Sequence, residues 1–213
     1  MSARDIILDF DGTLVDSSPA ILATFTSVLR ARDVTPARPV DKEVVGPPLL
    51  QTLRLLTGSD DPRLLDVLAA DFRARYDSDG VYATQAYAGV SELLRMQVNA
   101  GKRLHLATNK RQRPTLLLLE HFGWRTWFTS IYCIDGREPV YPSKGEMLKV
   151  LLQEQGLAAS ACVYVGDTHH DELAAAQAGI AFVAAGWGYG VGEQAVSDAA
   201  RVLGSPQELL QVL

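Results

Sequence analysis

The sequence predicts an α/β protein: a parallel sheet with helices on both faces and a small all-helical segment inserted after the first strand. Three observations carry this. From Val90 onward, short apolar runs alternate with amphipathic stretches, the pattern of strand–helix units whose crossovers cover both faces of a sheet. The first run, Ile6-Ile7-Leu8, is apolar without alternation, as expected of a strand buried on both sides. Between residues 16 and 81 no strand pattern occurs, and helical periodicity is broken only by proline and glycine. With 213 residues, 47% of them hydrophobic, the chain can fill one large domain, or one domain and a small insert.

The elements follow in order. Ser17-Ser18-Pro19 supplies capping groups and a first-turn proline for a helix over 19–32, with Ile21, Phe25, Val28 and Leu29 on one face. Pro36, Pro39, Pro47 and Pro48 break the next stretch. A second helix is expected over 49–56. A third spans 62–76, with Leu64, Leu68 and Phe72 on one stripe. Val90, Leu93, Leu94 and Val98 mark a helix that Gly101 ends. Strands are then expected over 102–108, 128–134, 161–165 and 180–184, separated by helices over 114–122, 145–155 and 171–178. A short helix over 206–213 closes the chain. The organisation expected is a core of residues 1–15 and 82–213, with a helical cap of 16–81 whose size suits a lid.

Composition excludes several classes. The net charge of -5, without a basic run, argues against a nucleic-acid binder. No apolar run is long enough to span a membrane. Met1-Ser2-Ala3-Arg4 leads directly into the first strand, so no signal peptide and a cytoplasmic location are expected. Cys133 and Cys162 sit in apolar strands and read as reduced core thiols rather than a disulfide or metal pair.

The first strand ends at Asp9 and Asp11, two carboxylates two residues apart. Such a pair repels itself and loses water unless a cation lies between, and Mg²⁺ suits paired oxygen ligands with open positions; a pair of loop acids capping a turn is the plainer alternative. Ligands of open parallel sheets bind beyond the carboxyl ends of the strands. Thr108 and Asn109 follow the second core strand. Lys144 opens a helix, where the dipole disfavours a cation unless an anion is near. Asp167 and Asp171 follow Gly166. Together these groups suit phosphoryl transfer: Asp9 attacking phosphorus, Asp11 as acid and base, and Thr108, Asn109 and Lys144 on the phosphoryl oxygens. Asp9 and Asp167 would hold Mg²⁺, with Asp171 supporting the metal from behind. His169 and His170 read as exposed loop residues, because Mg²⁺ prefers oxygen. Trp124 and Trp127 read as packing residues.

The stretch Asp9-Phe10-Asp11-Gly12-Thr13 resembles the first motif of the haloacid dehalogenase superfamily. Thr108, Lys144 and Gly166-Asp167-x-x-x-Asp171 are similar to its second, third and fourth motifs, in order. The resemblance implies a Rossmann-like core with a small helical cap. It further implies Asp9 as nucleophile, Asp11 as acid/base, and a metal site of Asp9, Asp167 and the main-chain carbonyl of Asp11, within an acidic set that also includes Asp171. Val45-Gly46-Pro47-Pro48-Leu49, Thr108-Asn109-Lys110 and Trp187-Gly188-Tyr189-Gly190 resemble the phosphoglycolate phosphatase-like group. Ser143-Lys144-Gly145-Glu146 departs from that group's Lys-Pro form and is similar to a nucleotidase-like subgroup.

The expected function is therefore Mg²⁺-dependent hydrolysis of a small phosphorylated metabolite through an aspartyl phosphate, with phosphoglycolate first and a nucleoside monophosphate second. A phosphomutase is the enzyme alternative, and a phosphometabolite-binding regulator without turnover the alternative of another class. Substrate choice is expected from the cap, with Gly46 presenting backbone and Arg54 meeting a second anion. A monomer or homodimer acting without nucleic acid or membrane is expected.

Overall fold

A computed structural model describes residues 4–190 and 195–212 of the chain. Its centre is a six-stranded sheet built from β1 (Asp5–Leu8), β4 (Arg103–Thr108), β5 (Phe128–Cys133), β6 (Cys162–Gly166), β7 (Ala181–Ala185) and β8 (Arg201–Leu203). The order across the sheet is β5-β4-β1-β6-β7-β8, and every neighbouring pair is parallel. β1 is therefore central, with Leu8 opposite Leu106 on one side and Val165 on the other. The chain runs from β1 to β4 and β5 on one side, then crosses back to β6, which makes the β1 end a switch point of the kind that opens a ligand crevice.

Period-two alternation divides the core between the faces. Ile6 and Leu8 join Leu93 and Leu94 of α4 (Val90–Asn99) and Leu118 and Leu119 of α5 (Gln112–His121). Ile7 joins Met147, Leu148 and Leu151 of α6 (Lys144–Gln155) and Ala174 and Ala175 of α7 (His169–Ala178). Both sets are buried, which explains why the β1 sequence shows no alternation.

Between β1 and α4 lie three α-helices: α1 (Ser18–Ala31), α2 (Leu49–Thr57) and α3 (Pro62–Tyr76). The chain enters this block through β2 (Val15–Asp16) and leaves through β3 (Gln85–Ala86), which pair antiparallel as a separate two-stranded ribbon. α1 and α3 pack through Phe25 and Phe72, whose ring centroids are 4.4 Å apart. Leu53 and Leu56 of α2 are fully buried in the same cluster. Gly58, left-handed at φ 62, ends α2, and Pro62 in the first turn starts α3 behind the Asp61 cap.

Several elements differ from the sequence expectation. β2, β3 and β8 were not expected; they are two or three residues long and carry no readable period. The helix expected over 206–213 is a 3₁₀ turn at Pro206–Glu208 followed by α8 (Leu209–Val212), and Leu213 lies outside the described residues. α7 begins at His169, so His169 and His170 belong to its first turn rather than to a loop. Cys133 and Cys162 are free and buried, as expected. Among the described residues no helix is long and apolar enough to cross a membrane.

Candidate active site

Asp9 follows the last residue of β1, and its N–H still donates to the Val165 carbonyl at 2.9 Å. The chain then turns sharply: the Leu14 and Val15 N–H groups both donate to the Phe10 carbonyl. Gly12 sits in this turn at φ +82, a conformation that glycine adopts without strain. A Cβ there would lie 2.0 Å from Asp167 Oδ2, so the turn requires glycine for space as well. Thr13 Oγ1 donates to Asp167 Oδ1 at 3.2 Å. This brings the end of β1 against the end of β6.

Four charged groups meet there. Lys144 Nζ lies 2.9 Å from Asp9 Oδ2 and 2.5 Å from Asp171 Oδ1, and all three side chains are buried. Asp9, Asp167 and Asp171 each offer an oxygen within 4.8 Å of the others. Asp171 is fully engaged. Its Oδ2 accepts from the Thr168 hydroxyl at 2.7 Å and from the Thr168 and Asp167 N–H groups, and its Oδ1 also accepts from the Tyr164 hydroxyl. Thr168 and Asp171 form a capping box, so one carboxylate starts α7 and anchors Lys144. Lys144 opens α6 behind the Ser143 cap, an unfavourable position for a cation that its two carboxylates offset.

The electrostatics show a deficit of positive charge. Burial pushes the Asp9 carboxyl up to about 6, against Lys144 and with Asp171 adding to the rise. Burial likewise holds Asp167 well above the carboxylate range, reinforced by Asp171 and Asp9 and opposed by the Tyr189 N–H. Burial alone would lower Lys144, but Asp171 and Asp9 outweigh it and hold the ammonium above its ordinary range. Three carboxylates against one ammonium leave a charge that a divalent cation would balance. Asp9 Oδ1 is buried without a hydrogen-bond partner. An all-oxygen donor set, an orphaned carboxylate oxygen and this charge balance fit Mg²⁺.

Asp9 and Asp11 also line one cavity of ≈ 80 Å³ between the sheet and the helical insert. Thr108, Asn109, Lys110 and Arg111, from the turn after β4, form one wall; Val44, Val45, Gly46, Phe25 and Phe72 form much of the other. Thr108 is buried, and its hydroxyl accepts from the Lys110 N–H at 3.2 Å. Asn109 Nδ2 donates to the Gly46 carbonyl at 3.3 Å, while its Oδ1 is buried without a partner. Asp9, Asp11, Thr108, Asn109 and Gly46 thus share a cavity, whereas Lys144, Asp167 and Asp171 do not line it and connect to it through Asp9.

Arg54 does not join them, which corrects the expectation placed on it. Its side chain is more than half exposed and pairs with Asp60 at 3.3 Å. Leu49 and Thr52 are the α2 residues that line the cavity, and at about 100° per residue Arg54 points away from both. His169 pairs with Glu172 at the surface. Trp124 is fully buried, its Nε1 donating to Ser91 Oγ at 3.1 Å, and Trp127 packs against the core.

Residues assigned no site role from the sequence complete the site. Lys110 Nζ donates to both Asp11 oxygens at 3.0 and 3.1 Å and to the Tyr76 hydroxyl at 2.8 Å. Ser17 Oγ donates to Asp11 Oδ1 at 2.6 Å. Tyr189 donates its N–H to Asp167 Oδ2 at 2.7 Å, and its hydroxyl accepts from the Ser17 and Ser18 N–H groups. The signal for Tyr189 was the Trp187-Gly188-Tyr189-Gly190 stretch itself. Gly188 has no room for a side chain, since a Cβ would lie 2.3 Å from that of Asp167.

A buried aspartate–lysine pair at a parallel-sheet switch point, beside an acid cluster fit for a divalent cation, is the equipment of a phosphoric monoester hydrolase. The model of the haloacid dehalogenase-like hydrolase family matches residues 6–185, and the chain belongs to that family. It is 32% identical over 189 residues to a 5'-nucleotidase of Pseudomonas aeruginosa, covering 87% of this chain and 84% of that protein. It is also 32% identical over 195 residues to a phosphoglycolate phosphatase of Xanthomonas campestris, covering 89% of this chain and 86% of the relative. In fold it is similar to the crystal structure of a predicted phosphatase from Clostridium acetobutylicum, with a TM-score of 0.88, 22% identity and coverage of 100% and 98% of the two chains.

Proposed function

We propose that this phosphatase hydrolyses a small phosphomonoester through an aspartyl phosphate on Asp9, with phosphoglycolate as first candidate. The observation that carries this is the Lys144 bridge between Asp9 and Asp171, which fixes Asp9 Oδ2 and leaves Oδ1 free of hydrogen bonds. In the first step an Asp9 oxygen bonds to phosphorus and the ester P–O bond breaks. The leaving oxygen takes a proton from Asp11. In the second step Asp11 accepts a proton from water, the water oxygen bonds to phosphorus, and the bond to Asp9 breaks, releasing phosphate. Thr108 and Lys144 stabilise the charge that builds on the phosphoryl oxygens. Asp9, Asp167 and the Asp11 carbonyl would hold Mg²⁺, which supplies charge neutralisation at the phosphoryl group when bound. Asp171 orients this set through its bonds to Lys144, Thr168 and the Asp167 N–H.

One observation favours a second reading, a nucleoside monophosphate as substrate. Phe25 and Phe72 line the cavity and offer aromatic surface to a base. A panel of phosphate esters assayed with Mg²⁺, after chelation, tests both. Highest kcat/KM on phosphoglycolate supports the first reading and highest on a nucleoside monophosphate the second. Full activity without a divalent cation, or no turnover of any ester, would overturn the proposal.

A further inference from the structure

We propose that Lys110 selects the substrate by capturing a carboxylate carried next to the phosphate ester, so that the preferred class is the phosphate esters of small 2-hydroxy acids. This rests on the phosphatase reading above and adds a residue to it. Among the described residues, Lys110 and Arg111 are the two cations that line the cavity. Arg111 is committed in a two-point pair to Asp77, with its Nη1 2.9 Å from Asp77 Oδ2. Lys110 is buried, and its ammonium sits between Asp11 and the Tyr76 hydroxyl. It also lies 4.8 Å from the centre of the Tyr76 ring, which keeps it against the insert.

Position follows from the role of Asp11. A general acid stands within about 2.6–3.2 Å of the oxygen it protonates. Lys110 Nζ is 3.0 Å from Asp11 Oδ1, so it stands within about 6 Å of the ester oxygen. A carboxylate borne on the ester carbon reaches into that span and can share the ammonium with Asp11. Ile21, Phe25, Val44 and Phe72, which also line the cavity, have side chains that offer no hydrogen bond. The cavity thus combines one reachable positive charge close to the ester with a largely apolar lining from the insert.

The test compares phosphoglycolate with ethyl phosphate, which replaces the carboxylate by a methyl group, on Mg²⁺-loaded wild type, Lys110→Met, Lys110→Gln and Lys110→Arg. Because Lys110 also anchors Asp11, the neutral variants should lose activity on both esters. The loss on phosphoglycolate should be larger by about 10- to 100-fold, the range for a charge-assisted bond, with the excess in KM. Lys110→Arg should recover most of that excess. Should Lys110→Met fail to fold, Lys110→Gln, which keeps hydrogen bonds to Asp11 and Tyr76, reads the same ratio. Equal losses on the two esters, or no loss, would overturn the role of Lys110. Wild type that turns over ethyl phosphate or a nucleoside monophosphate as well as phosphoglycolate would overturn it too, while leaving the phosphatase reading intact. Wild type that turns over no ester would remove both.

Discussion

Asp9 carries the most consequence of any single side chain. Asp9→Asn keeps the size and removes the proposed nucleophile, so turnover should fall to background with the melting temperature within a few degrees of wild type. Lys144→Ala removes the ammonium that Asp9 and Asp171 share. It should lower kcat about a hundredfold or more and also lower the melting temperature, checked by kinetics and thermal denaturation of one preparation. Burial raises Asp9 from an ordinary 3.8 to about 6. In metal-free protein the folded state then holds more protons than the unfolded state across that window. The Asp9 contribution to stability is present below about pH 4 and is lost as pH rises through 6. A divalent cation binds the ionised form, so Mg²⁺ should raise the melting temperature more at pH 7 than at pH 5. An equal Mg²⁺ effect at both pH values would contradict the carboxylate site.

At the scale of elements, the turns beyond β1, β4 and β6 do the positioning. Gly188 lies between two of them, and a Cβ there would also stand 2.4 Å from the Gly12 carbonyl oxygen. Gly188→Ala should push Asp167 from its place and lower kcat at least tenfold, while far-ultraviolet circular dichroism stays unchanged. Much of this was legible beforehand. Asp9, Asp11, Lys144 and Asp167 were readable because each is a residue type that a strand end or helix start disfavours without a partner. The start of α7 was missed although Thr168-His169-His170-Asp171 carries capping-box spacing. Arg54 was misplaced because helix phase relative to a cavity is a tertiary fact. Lys110 was quoted within Thr108-Asn109-Lys110, but its place in the site was hidden for the same reason: it depends on Tyr76, which belongs to α3. β2, β3 and β8 were missed because two or three residues hold too little pattern.

Across the whole molecule, the three-residue turn after β4 joins the insert to the sheet at three points: Asn109 to the Gly46 carbonyl, Lys110 to the Tyr76 hydroxyl, and Arg111 to Asp77. Asp77→Ala would leave the largely buried Arg111 guanidinium without its carboxylate. The expected result is a raised KM for the preferred ester and faster proteolysis within residues 31–62, with kcat changed less than KM.

The central place of β1 has a further consequence, for how the molecule comes to be. Asp5 pairs with Arg103 on one side and Cys162 on the other, so this strand waits for both neighbours while most of the chain is synthesised. Such non-local pairing makes a slow folding landscape, in which loop-closure entropy is lost before contacts compensate. The same docking event that completes the sheet drives Asp9, Asp167 and Asp171 together, so their mutual repulsion rises as the sheet closes. A divalent cation present during refolding from denaturant should therefore accelerate the final phase as well as stabilise its product, and a chevron plot with and without Mg²⁺ would separate the two effects.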